Sequence, residues 1–178
     1  MPQKTSPQAV FFKGLLIAAC ALGALFLLLR AHWTPNGGRA VGTPFPPLKA
    51  QGWLNGQAPT PNELRGKILV VDAWASWCLP CRQQAPEMVY LHEKYQSQGV
   101  EFIGLTRQTA DEMDGMQAFL KATEISWRNG YGASETLLEL GAEEVPMIWV
   151  VDRHGQVVWN LASGGSLEVG IRRALAIP

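Results

Sequence analysis

Cysteine and histidine are scarce in this sequence, at three residues each among 178. Only Cys78 and Cys81 have the Cys-x-x-Cys spacing, and the remaining cysteine is Cys20. A zinc site built from two such pairs is therefore excluded, and a redox dithiol becomes the stronger reading. His32, His92 and His154 share no spacing and read as surface residues rather than ligands. An excess of either charge is missing too: 15 basic residues balance 15 acidic ones, so no broad basic field exists and no nucleic-acid partner is expected. The sequence carries no flavin or nicotinamide fingerprint, no internal repeat and no low-complexity tract. Neither a cofactor nor a resident metal is expected.

What is abundant is apolar residues, 47% of the chain, with the excess gathered near the N-terminus. Residues 14–29 carry no charge, and Val10, Phe11 and Phe12 extend the run backwards. A bilayer core needs about 20 mainly apolar residues, which residues 10–30 supply with Lys13 able to snorkel. A cleaved signal peptide would need small residues before Arg30, where Leu27, Leu28 and Leu29 stand instead. Ile17-Ala18-Ala19-Cys20 resembles a lipobox that would lipidate Cys20, but six residues separate Lys13 from Cys20 and nine apolar residues follow it. The expected layout is a cytoplasmic segment over 1–9, an uncleaved anchor over 10–30, a Pro- and Gly-rich linker over 31–40 and one domain over 41–178. Lys4 and Lys13 against Arg30 and Arg39 orient the anchor only slightly, N-terminus inside. A tethered dithiol makes most sense on the oxidising side.

Within the domain, Asn55-Gly56 between apolar flanks predicts a hairpin, and residues 61–67 a helical turn closed by Gly66. Residues 68–74 are β-branched and apolar without alternation, as in a central strand covered on both faces. Residues 79–98 have helical periodicity, with Pro86 expected to kink them, and residues 100–106 form a second strand. Met113, Met116 and Leu120 mark another helix, residues 134–140 a short one, residues 145–161 a strand hairpin, and residues 167–175 a last helix capped by Ser166. Trp53, Trp149 and Trp159 read as core aromatics.

The reacting species in thiol–disulfide exchange is a thiolate, and a free cysteine is mostly protonated at neutral pH. Cys78 falls at the predicted strand-to-helix junction, where free N–H groups and the helix dipole favour negative charge. Pro80 suits the first turn, since its missing donor costs nothing there. Cys78 is thus expected as the exposed attacker and Cys81, one turn further in, as the resolving thiol. A resolving thiol needs a base, and Asp72, in the middle of an apolar strand, is the candidate.

These residues carry a resemblance. Trp74-Ala75-Ser76-Trp77-Cys78-Leu79-Pro80-Cys81, with Pro86 and the distant Val145-Pro146, resembles the thioredoxin superfamily. The anchor, the linker and the extra segment before Val145 resemble its membrane-anchored TlpA-like, cytochrome-maturation branch. The resemblance implies an α/β three-layer sandwich around a mixed sheet, preceded by one transmembrane helix. It implies that Cys78 and Cys81 form a redox-active disulfide and that Pro146 is a cis-proline facing it. The backbone of Val145 would pair with a substrate segment, Trp77 would border the groove, and Gly164 or Gly165 would lie near the same surface. Asp72 matches the buried aspartate of thioredoxins. Gln84 departs from the glutamate that many members of this branch have three residues after the second cysteine.

The expected function is a periplasm-facing, inner-membrane thiol:disulfide oxidoreductase acting as a monomer on disulfides of exported proteins, apocytochrome c among them. Its electrons would come from a DsbD/CcdA-like membrane donor. The rival is a Cu(I)-binding metallochaperone using Cys78 and Cys81, with Met147 as an optional third ligand. Glu143 and Glu144, next to Val145, read as a solvated loop that could tint the groove acidic.

Overall fold

The computed structural model describes residues 38–178. The expected membrane anchor, the segment before it, Cys20 and most of the linker lie outside the described residues. Among the described residues, no helix is long and apolar enough to cross a membrane.

The sheet is built around strand β2, Ile68–Ala73, in which every residue is buried. It pairs in parallel with β3, Val100–Leu105, and antiparallel with β5, Met147–Val151. Strand β6, Val157–Asn160, closes a hairpin with β5 as expected. Two further strands complete a six-stranded mixed sheet in the order β1-β4-β3-β2-β5-β6, with β1 at Gly52–Leu54 and β4 at Arg128–Tyr131.

The predicted hairpin at Asn55-Gly56 does not form. Asn55 and Gly56 do turn the chain, both at positive φ, but β1 pairs instead with the distant β4, Trp53 opposite Gly130. The segment beyond the turn runs through Pro59 and Pro61, which lack ladder donors, into helix α1, Pro61–Leu64. Thr60 and Glu63 cap that helix reciprocally.

Helix α2, Leu79–Tyr95, continues through Pro86 as one element. Helix α3, Met113–Ala122, and helix α5, Leu167–Leu175, lie on the same face of the sheet as α2, around Ile68, Val70, Trp74 and Ile148. Helix α4, Ser134–Glu139, covers the other face, around Val71, Ala73, Trp149 and Val151. The result is the expected three-layer α/β sandwich. Ser166 precedes α5 as its cap residue, but its side chain makes no capping bond. Arg39, just before the expected domain boundary, is bonded to the domain on both sides of its peptide. The Arg39 N–H donates to the Leu140 carbonyl at 2.6 Å, and the Asn160 side chain donates to the Arg39 carbonyl at 3.1 Å.

Candidate active site

Strand β2 delivers the chain to the top of the sheet, and five residues separate its end from the start of α2. Between them, the Trp74 N–H donates to the Leu105 carbonyl and its ring stacks on Phe119, centroids 4.7 Å apart. The Cys78 N–H donates back to Ala75. Cys78 is then the N-cap of α2, and Pro80 occupies its first turn.

Cys78 and Cys81 are joined in a disulfide, their Cα atoms 5.3 Å apart. The Cys81 N–H donates to Cys78 Sγ at 3.1 Å, so a helix-terminal donor already points at the sulfur that would carry charge after reduction. One expectation is corrected here. Cys78 is only 3% exposed, because its sulfur is bonded to Cys81 and turned over the helix start, while its neighbours Trp77 and Leu79 are 73% and 63% exposed.

The Val145–Pro146 peptide is cis, as expected. Met147 pairs with Ala73, so Pro146 lies beside the end of β2 from which the cysteine loop departs. Among the described residues, no hydrogen bond engages the backbone N–H or C=O of Val145. Trp77 and Val145 line one cleft of about 300 Å³ with Trp74, Gln108 and Glu112. Glu143 and Glu144 are exposed and line it too. Gly164 and Gly165, both at positive φ, follow β6, whose C-terminal end lies on the Pro146 side of the sheet.

Asp72 alternates with Ile68, Val70 and Trp74, which places it on the sheet face against which Cys78 and Cys81 pack. It is 7% exposed, and among the described residues no hydrogen bond or ion pair engages its carboxyl group. Burial alone pushes its pKa up to about 7. Met147, by contrast, packs on the opposite face with Trp149 and Leu137. Met147 is therefore not a third sulfur ligand for the copper rival's Cys78–Cys81 pair. Gln84 is half-buried on α2.

Gln108, Arg107 and Glu112 escaped the sequence reading. The sequence pattern alone did not mark them: it is the parallel pairing of β2 and β3, with Ala73 opposite Leu105, that makes the loops leaving both strands neighbours. The residues after Leu105 were therefore bound to flank those before Cys78.

Comparison with known proteins agrees with this geometry. The AhpC/TSA family profile matches residues 41–160. The thiol:disulfide interchange protein HelX of Rhodobacter capsulatus is 30% identical over 161 residues, 87% of each chain. The thiol-disulfide oxidoreductase ResA of Bacillus thuringiensis is 28% identical over 149 residues, 83% of each. The crystal structure of a protein described as a thiol:disulfide interchange protein DsbE, from Chlorobium tepidum, superposes with a TM-score of 0.65 at 26% identity, covering 77% of this chain and 99% of that one. With its cis-proline set beside a Cys-x-x-Cys disulfide, the chain belongs to the AhpC/TSA family and is a thioredoxin-like thiol:disulfide oxidoreductase.

Proposed function

We propose that the chain is a membrane-anchored, periplasm-facing reductase of disulfides in exported proteins, with apocytochrome c as one client. The observation that carries the reading is the Cys78–Cys81 disulfide at a helix N-terminus beside cis-Pro146. In the reduced protein the Cys78 thiolate attacks one sulfur of a client disulfide, forms a mixed disulfide and releases the other client sulfur as a thiolate. Cys81 loses its proton and attacks Cys78 Sγ, which expels the second client thiol and closes the Cys78–Cys81 bond. Two electrons have then passed to the client. A dithiol donor in the membrane, DsbD/CcdA-like, restores them by the same exchange in reverse.

The remaining residues fit these steps. The free backbone of Val145 can add a client segment as a short strand, and Trp77 offers it an exposed aromatic wall. Asp72, with a pKa of about 7 on the cysteine face, is poised to take the Cys81 proton near neutral pH. The apolar run over 10–30 supports the location, since as an anchor it would keep the domain beside a membrane donor.

Reduction of insulin disulfides by the full-length protein tests the chemistry. Activity should vanish in Cys78→Ser, and survival there would overturn the mechanism. In cells, Cys81→Ala should accumulate mixed disulfides through Cys78, and the proteins captured would identify the clients. An absence of captured exported proteins would count against the client reading.

A further inference from the structure

Gln108 is a polar side chain only 7% exposed, in the loop between β3 and α3, and both ends of its amide are hydrogen-bonded to the cysteine loop. Its Oε1 accepts from the Ser76 backbone N–H at 2.7 Å. Its Nε2 donates to Ser76 Oγ at 2.9 Å and to Glu112 Oε1 at 2.7 Å. The orientation of the amide is unambiguous, because reversing it would set an NH2 group against the Ser76 N–H. The loop that presents the amide is itself fixed. The Gln108 carbonyl accepts from the Gly132 N–H at 2.7 Å, its N–H donates to Thr106 Oγ1 at 3.2 Å, and the other Glu112 oxygen accepts from the Thr109 N–H.

Ser76 stands two residues before Cys78, with Trp77 between them. Gly115 of α3 faces Ser76, and a Cβ there would come 3.3 Å from Ser76 Oγ. We propose that Gln108 is a positioning residue for thiol–disulfide exchange. By gripping Ser76 at two points, it fixes the loop that sets both the Cys78 sulfur over the helix start and the Trp77 ring at the cleft edge. The inference rests on the redox role proposed for Cys78. When Cys78 is reduced, no disulfide restrains the loop, and the two bonds to Ser76 carry that restraint. Without them, the sulfur is less often aligned with the Cys81 N–H. The thiolate is then less favoured and attacks more slowly.

The test uses the reduced full-length protein and two readouts: the rate of insulin reduction, and the pH profile of Cys78 alkylation by iodoacetamide. Gln108→Ala should slow insulin reduction roughly tenfold, as expected for losing hydrogen bonds to a buried loop, and should move the alkylation midpoint to higher pH. Gln108→Glu keeps the acceptor for Ser76 but sets a carboxylate against Glu112, and should slow the reaction at pH 8. Combining Gln108→Glu with Glu112→Gln exchanges donor and acceptor within the pair, and should bring the rate back to within about threefold of the wild type. The proposal is overturned if Gln108→Ala reacts and alkylates as the wild type does, or if the double change restores nothing. Should Gln108→Ala fail to fold, the single and double carboxyl variants decide the matter. If instead Cys78→Ser retains activity, the redox reading itself fails, whatever Gln108 does.

Discussion

Asp72 sits directly opposite Ile148 in the β2–β5 ladder, one residue beyond Met147 and two beyond cis-Pro146, on the face where Cys81 packs. The carboxyl group is therefore enclosed by the sheet beneath the redox pair and draws no compensating donor from it.

This burial makes a prediction about pH. A carboxyl group whose pKa is 3.8 when unfolded and about 7 when folded keeps its proton in the native state after the unfolded chain has released it. Stability should fall as pH rises from about 4 to 7, by an order of about 4 kcal/mol in total. Urea unfolding between pH 5 and 8 should show that fall in the wild type and not in Asp72→Asn. The variant should also resolve mixed disulfides more slowly at neutral pH. Equal pH dependence in the two proteins would show that Asp72 is not the titrating group.

Trp77 should discriminate between substrates. Its ring is 73% exposed on the rim of the cleft and supports no core. Trp77→Ala should raise KM for insulin about fivefold or more, the scale of one aromatic anchor, while the rate with a small aromatic disulfide changes little. An equal loss on both substrates would place Trp77 in the chemistry instead.

Gly104 of β3 tests the packing beneath the site. A Cβ there would fall 1.7 Å from Asn129 Oδ1 and 2.9 Å from Trp74 Nε1. Asn129 is 1% exposed and its amide donates to the Trp127 carbonyl, so it has little room to retreat. Gly104→Ala should cost about 3 kcal/mol in chemical denaturation.

That contact also shows why β4 was illegible. Arg128-Asn129-Gly130-Tyr131 has no β-branched residue and no alternation, and its place in the sheet comes from backbone pairing with β3 and β1. In contrast, residues 68–74 announced a strand by composition alone, because burial on both faces demands apolar residues throughout. The cysteine pair and Asp72 were legible for a similar reason, since each breaks the local pattern, whereas Pro146 was legible as a cis-proline only through the family resemblance. Gln108 breaks no pattern, being one more polar residue in a loop. Only the parallel register of β2 and β3 brings it to Ser76. The burial of Cys78 was likewise invisible, since it depends on how the closed disulfide lies over the helix.

Glu168 predicts a separate acid sensitivity. Its carboxylate receives Lys94 at 2.9 Å, the Tyr95 hydroxyl at 2.7 Å and Arg172 at 2.9 Å, which links α5 to the end of α2. The Lys94 and Tyr95 hydrogen bonds lead in pulling its pKa down to about 2. The stabilisation is present above the ordinary carboxylate pKa and is lost as pH falls towards about 2. Glu168→Gln should melt earlier than the wild type at pH 7, and the two melting curves should converge in strong acid. A constant difference at every pH would assign the effect to packing.

The course of the chain past Gly38 bears on the outer edge of the sheet. A Cβ at Gly38 would touch Met147 and Trp149, and from there the backbone follows β6 downwards, Gly42 pairing with Val157 and Phe45 with Gly155. The polypeptide thus joins the domain on the Pro146 side and only then travels to the far pole. Residues 42–45 thereby occupy the outer edge of β6 and blunt it against pairing with another chain.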